Sequence, residues 1–244
     1  MRHLIFIFLL SLFTQTAFAQ YQSGKVVYKV IPPKSMMAFK DTTKIKNVYS
    51  KNAFVTAYNR VKTHAPHMNL VMEFNTREAL AQIPPRMDRS NNSDFYRATI
   101  RAKLNHIYYT DAEKDHQIHE FEVAGRNWLV LYERNNSLWK ITDETKEILG
   151  YTCYKATSPL RINGIEVEEE IEAWFAPELP FQFGPSSIHG LPGLILEVKR
   201  RNFTYYASEI KLEKTDKKIK KLKGNPIPEL EFHAEMKKMR DAFR

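Results

Sequence analysis

Ile165-Glu-Val-Glu-Glu-Glu-Ile-Glu-Ala-Trp-Phe175 is the stretch whose reading decides the fold. Taken with a period of two, Glu166, Glu168, Glu170, Glu172 and Trp174 point to one side. Ile165, Val167, Ile171, Ala173 and Phe175 point to the other, with Glu169 interrupting the apolar side. Such alternation is that of a half-buried β-strand, because successive side chains leave a strand on opposite faces.

The same character recurs along most of the chain. Gly24 to Ile31 is rich in β-branched and aromatic residues and stops at Pro32-Pro33. Strands are also expected at Met68 to Asn75, Tyr96 to Thr110, His116 to Val123, Trp128 to Glu133 and Ser137 to Thr142. Lys146 to Thr157, Leu194 to Lys199 and Phe203 to Glu213 complete the series. Short Asn, Asp and Gly clusters between them favour an antiparallel meander over β-α-β units. Two segments depart from this pattern. Val48, Phe54, Val55, Tyr58 and Val61 partly fit helical spacing within 42–61, and Phe232, Met236, Met239 and Phe243 form one apolar stripe in a helix at about 228–243. The expected fold is mainly β: an antiparallel curved sheet or half-barrel with one or two packed helices, the C-terminal one among them.

Compartment is read from the first residues. Arg2 and His3 precede Leu4-Ile-Phe-Ile-Phe-Leu-Leu10, and Ala17-Phe18-Ala19 offers an Ala-x-Ala cleavage site. The apolar run falls short of the about 20 residues a membrane span needs. Residues 1–19 are therefore expected to be a signal peptide, leaving 20–244 as a single β-rich domain in the periplasm or outside the cell. Cys153 is the only cysteine, so no intramolecular disulfide can form, and it is expected to be a core residue of a strand. The formal charge of +9 suggests an anionic partner. Secretion argues against nucleic acid and leaves anionic lipid headgroups or acidic glycans as counterparts, beside a charge that serves solubility alone. Lys211, Lys214, Lys217, Lys218, Lys220, Lys221 and Lys223 are read as a solvated face or strand-end protection, with contact to anionic lipid as the functional alternative.

Chemistry-bearing patterns are weak. Same-face carboxylates on the acidic strand stand roughly 7 Å apart, a separation compatible with inverting glycosidases. Cross-strand pairing with Lys199, Arg201 or Lys211 is the simpler use. His64 and His67, and His116 and His119, form His-x-x-His pairs, but positions i and i+3 of a strand face opposite sides, which defeats joint metal ligation. They are read as scattered surface histidines, and Met36, Met37 and Met68 as packing rather than copper ligands. No phosphate loop, zinc-protease helix or Gly-x-Ser-x-Gly elbow occurs. Neither a metal nor a cofactor is expected, and an enzyme is the minority reading.

The C-terminal half carries a resemblance. Trp139-Lys-Ile-Thr-Asp-Glu-Thr-Lys146, Ile148-Leu-Gly150-Tyr151-Thr-Cys153, Ala173-Trp174-Phe175-Ala176-Pro177, Gly184-Pro185 and Gly190-Leu191-Pro192-Gly193-Leu194-Ile195 follow in order. This set resembles the GLPGLI family of secreted bacterial envelope proteins, over roughly residues 120 to 200. It is also similar, distantly, to lipoprotein-carrier-type folds, which implies a curved sheet around an apolar cavity. Gly190 and Gly193 can take positive φ or admit a close backbone, and Pro192 stiffens the turn between them. The expected function is that of a periplasmic binding or carrier-like module for an apolar or amphipathic ligand, such as a lipid, or for an envelope partner protein. Trp174, Phe181, Phe183 and Leu191 are the candidate contacts. A hydrolase using Glu166 to Glu172 and a purely structural docking protein are the alternatives.

Overall fold

The structure is a computed structural model that describes residues 21–32, 48–85, 93–114, 116–133, 139–162, 165–200 and 203–242. The expected signal peptide, Met36, Met37, Arg201 and Phe243 lie outside these residues, as do the side chains of Val48, Phe54 and 161–169.

Twelve strands form one sheet. The first six are β1 (Ser23–Ile31), β2 (Asn69–Asn75), β3 (Glu78–Gln82), β4 (Ile107–Asp111), β5 (His116–Val123) and β6 (Arg126–Glu133). The rest are β7 (Lys140–Ile148), β8 (Tyr151–Ile162), β9 (Ile165–Ala176), β10 (Leu194–Lys199), β11 (Thr204–Glu213) and the two-residue β12 (Ile227–Pro228). Their spatial order is β12-β6-β5-β4-β3-β2-β1-β11-β10-β9-β8-β7. Two antiparallel meanders, β1–β6 and β7–β11, thus meet along the β1–β11 pair, and β12 adds a parallel contact to β6. The expected mainly β, antiparallel architecture is what forms.

Topology also requires the sheet to curl. β6 and β7 stand ten strand positions apart, which in a flat sheet would be roughly 48 Å at about 4.8 Å per neighbour. Residues 134–139 join them, and so few residues reach at most roughly 25 Å. The two ends of the sheet must therefore bend toward each other.

Three helices accompany the sheet among the described residues: α1 (Val48–His64), α2 (Asp94–Arg101) and α3 (Glu229–Ala242). α2 replaces the first half of the strand expected at Tyr96 to Thr110. The Ser93 side chain accepts from the Tyr96 N–H as an N-cap, Asp94 occupies the first turn, and Phe95, Ala98 and Thr99 bury one face. Those local signals outweigh the aromatic and β-branched content that suggested a strand. β7 and β8 likewise replace the expected break between Ser137–Thr142 and Lys146–Thr157. The chain turns at Leu149-Gly150, both at positive φ (52° and 82°), as in a two-residue hairpin loop.

Cross-strand register explains the core. Val26, Met72, Ala81, Tyr108, His119 and Val130 form one row across β1–β6. All six are buried, and we call theirs the inner face. α2 is tied to it by two tyrosines: Tyr205 Oη donates to the Ala102 carbonyl at 2.6 Å, and Tyr108 Oη to the Lys103 carbonyl at 2.7 Å. α3 packs Phe232 edge-on against Phe121 and Trp128, with Met236 and Met239 alongside. The C-terminal stripe thus serves the sheet.

Between β9 and β10 the chain re-enters the inner side. Leu179, Phe181, Phe183, Ile188 and Leu191 join the main core, with the Phe181 and Phe74 ring centroids 4.7 Å apart. Among the described residues, these side chains pack against the inner face of the sheet as part of its core. The hexapeptide is the corner that returns it to β10. Gly190 sits at φ 88°, and a Cβ on Gly193 would stand 2.3 Å from the Ala176 carbonyl oxygen.

Candidate functional site

On the inner face, apolar residues give way to polar ones where β4, β5 and β6 run together. The row that begins Phe74–Ala79 continues as Thr110, Gln117 and Tyr132. The adjacent row ends Tyr108, His119, Val130. Thr110, Gln117 and His119 are buried, so their polar atoms need partners. Gln117 supplies most of them: its Nε2 donates to Thr110 Oγ1 at 2.9 Å, and its Oε1 lies 3.2 Å from His119 Nε2.

Two loops complete the patch. His189, immediately before the hexapeptide, brings Nδ1 to 3.3 Å from Gln117 Nε2 and 3.2 Å from the Ser187 carbonyl. Its own carbonyl accepts from Trp139 Nε1 at 3.1 Å, which fastens the approach to β7 to the same corner. From the α2–β4 turn, His106 stacks on Phe121 at 4.1 Å and lies 5.9 Å from His119. Tyr132 covers His119 from the far side at 4.2 Å. The result is a cluster in which the buried His119 is surrounded by the half-buried His106, Tyr132 and His189.

Its electrostatics are those of neutral donors and acceptors. Burial, with a contribution from the Lys103 ammonium, brings His106 down to about 4. Burial also holds His119 well below the usual histidine range, helped by His106 and His189. Burial pushes the Tyr132 phenol up to about 12, and it raises Tyr108, whose hydroxyl also accepts from Ser186. His106 Nδ1 is buried without a hydrogen-bond partner. Two non-glycine residues beside the patch, Lys103 (φ 54°) and Ser186 (φ 60°), hold left-handed backbone, a conformation that surrounding structure must enforce. Among the described residues no group of His, Cys, Asp and Glu converges to hold a metal ion.

This patch was not the one expected from sequence. His116 and His119 do face opposite sides, the former half-exposed and the latter buried. Reading His119 as a surface histidine is corrected by the register that sets it in the Val26–Val130 row. The four expected contacts all fall in the core: Phe181, Phe183 and Leu191 are each 1% exposed and Trp174 8%. Trp174 lies in register with Lys155 and Glu197; Lys146 Nζ sits 4.2 Å above its ring and 2.8 Å from Glu197. Glu172 accepts from Trp174 Nε1 at 3.1 Å and faces Lys155 at 3.7 Å, so this end of the acidic strand is ion-paired. Glu170 is exposed. Cys153 is buried, its thiol pushed up to about 12 by burial, as befits an inert core residue. Gly184, Pro185, Leu194 and Ile195 are buried around the hexapeptide, and Tyr151 packs at the core margin.

Comparison with known proteins concerns the half of the chain that holds His119 and His189. Residues 119–232, a little under half of the chain, match a family model described as the N-glycanase peptide, N-terminal domain. Two structures of PNGF-II, in the P21 and C2 space groups, superpose with a TM-score of 0.50 at 16% and 17% identity. The likeness is one of fold. Each superposition covers 87% of this chain but 32% of PNGF-II, so the chain spans about a third of that protein's length. No curated protein matches the chain.

Proposed function

We propose that this chain is a secreted binding module and that the His106–His119–His189 cluster holds an amphipathic, hydroxyl-bearing ligand of the glycan class. The observation that carries the reading is the buried, unpartnered His106 Nδ1 beside neutral imidazole, phenol and amide groups. A neutral imidazole has one nitrogen that accepts and one that donates, which suits a hydroxyl better than an ion. The half-buried ring of Tyr132 suits the apolar C–H face of a sugar ring. The family-model match supports the same class, since the N-glycanase named there acts on glycan-bearing substrates by its name. The GLPGLI resemblance supports secretion into the envelope.

Titration of the purified chain with free N-glycans, followed by histidine-ring NMR shifts, tests the proposal. Binding should shift the His106 and His119 resonances, and Gln117→Ala and Tyr132→Ala should each weaken it about tenfold, the loss of one good contact. Shifts confined to other residues, or none while a phospholipid or envelope protein binds instead, would reject the glycan assignment.

A further inference from the structure

We infer that Gln117 is the positioning residue of the histidine cluster, its one side-chain amide deciding which ring nitrogen carries the proton in both His119 and His189. A neutral imidazole has one N–H and one unprotonated nitrogen, and the hydrogen bond made at either atom selects between the two forms. Gln117 is buried on β5. Its amide has two N–H groups and one carbonyl oxygen to satisfy. One N–H donates to Thr110 Oγ1 at 2.9 Å. The nitrogen also lies 3.3 Å from His189 Nδ1, and the oxygen lies 3.2 Å from His119 Nε2. All three groups of the amide are satisfied together when His189 Nδ1 is unprotonated and His119 Nε2 carries the proton. Both rings are then in the Nε2–H form.

The surroundings hold both histidines in place. Tyr132 lies 4.2 Å from the His119 ring, and Tyr108 meets it edge-on at 4.7 Å. Around His189 the backbone is tied on both sides. The Ile188 N–H donates to the Pro185 carbonyl at 3.2 Å, and the Gly190 N–H to the Gln182 carbonyl at 3.0 Å. One group competes with the amide: the Ser187 carbonyl, 3.2 Å from His189 Nδ1, would accept a proton on that atom. Burial decides the contest. Gln117 is buried and Ser187 is half-buried, and an amide N–H left without a partner in the interior is the costlier loss. What the fixed pattern serves rests on the reading of this cluster as a ligand site. An arriving hydroxyl meets one arrangement of donors and acceptors instead of a mixture, so less ordering remains for binding to supply.

Long-range proton–nitrogen correlation spectra of the ligand-free chain test this, because they tell a protonated ring nitrogen from an unprotonated one. At about pH 8, above the ordinary histidine range, the parent should carry the proton on Nε2 of both His119 and His189. Gln117→Glu keeps an oxygen for His119 but has no N–H to give, so His189 should gain a proton on Nδ1 while His119 keeps its own on Nε2. Gln117→Met removes both groups from a side chain of similar length. It should move His189 in the same way and release His119 into a mixture of the two forms. A Gln117 that served packing alone would leave both tautomers unmoved in the folded variants. A parent with the proton on Nδ1 of either ring overturns the inference, whether or not the variants fold. A folded Gln117→Glu chain whose His189 stays on Nε2 overturns it too. No glycan is present in these spectra, so a failed glycan titration beside the stated tautomers rejects the ligand site and leaves the role of Gln117 standing.

Discussion

Gly193 passes so close to Ala176 that a β-carbon on it would lie 2.3 Å from the Ala176 carbonyl oxygen, with the Ala176 carbonyl carbon and Pro177 nitrogen also within 2.9 Å. These neighbours are backbone at the end of β9, so neither side can yield by changing a rotamer. Gly193→Ala should cost at least the about 1–3 kcal/mol typical of overpacking, and Gly193→Val more. Gly190→Ala, which puts a side chain at φ 88°, should cost at least about 1–2 kcal/mol. Urea unfolding checks the order; a Gly193→Val chain as stable as the parent would refute the close approach.

Stability should fall on acidification between about pH 6.5 and 4. His106 and His119 are neutral in the fold and titrate lower than in the unfolded chain. In that window the unfolded state binds more protons, so stability rises with pH and is lost as pH falls toward the folded value. Each histidine contributes a slope of up to about 1.4 kcal/mol per pH unit. His106→Asn should flatten the urea-midpoint profile between those limits, and an unchanged slope would mean that other groups set it.

Tyr28 and Tyr205 should each lose stability when replaced by Phe. Tyr28 Oη donates to the Ile195 carbonyl at 2.7 Å in a fully buried contact. Tyr205 Oη caps α2 through Ala102. Leaving a buried carbonyl unsatisfied costs about 1–3 kcal/mol. Calorimetry of the single and double variants should find the two losses nearly additive, since they act on different partners.

Cys153 should resist thiol reagents while the chain is folded and react fully in denaturant. Its sulfur is buried and its thiol is held protonated by burial. Fast modification of the native protein by a disulfide reagent would contradict the core assignment.

The fold was legible wherever periodicity and β-branched content agreed, as in β1, β5 and β10. It was obscured where tertiary context prevails over local composition. β3, Glu-Ala-Leu-Ala-Gln, consists of helix-forming residues, and it is a strand because β2 and β4 pair with it on both sides. The histidine cluster was partly legible. Strand parity separated His116 from His119, but parity alone does not say which side is the core; register against Met72 and Val130 does. His106 and His189 are brought to His119 from a turn and from a loop that follows two further hairpins, and no spacing rule links them. Phe181, Phe183 and Leu191 drew attention as apolar residues in an irregular segment, and their irregularity is that of a chain re-entering its own core.

The position of β1 has a consequence for how the molecule is made. As the first strand in sequence, it lies inside the sheet with β2 on one side and β11 on the other. Residues 23–133 can assemble their meander as soon as they are available, but the second edge of β1 then waits for residues 204–213. Until those arrive, Lys-Val-Val-Tyr-Lys-Val-Ile presents an unpaired ladder of backbone groups, the kind of surface that recruits strands from other chains. Closing it joins the most distant parts of the chain, which makes β11 docking the slow, late step. A nascent chain cut short before residue 204 is therefore the form most exposed to aggregation.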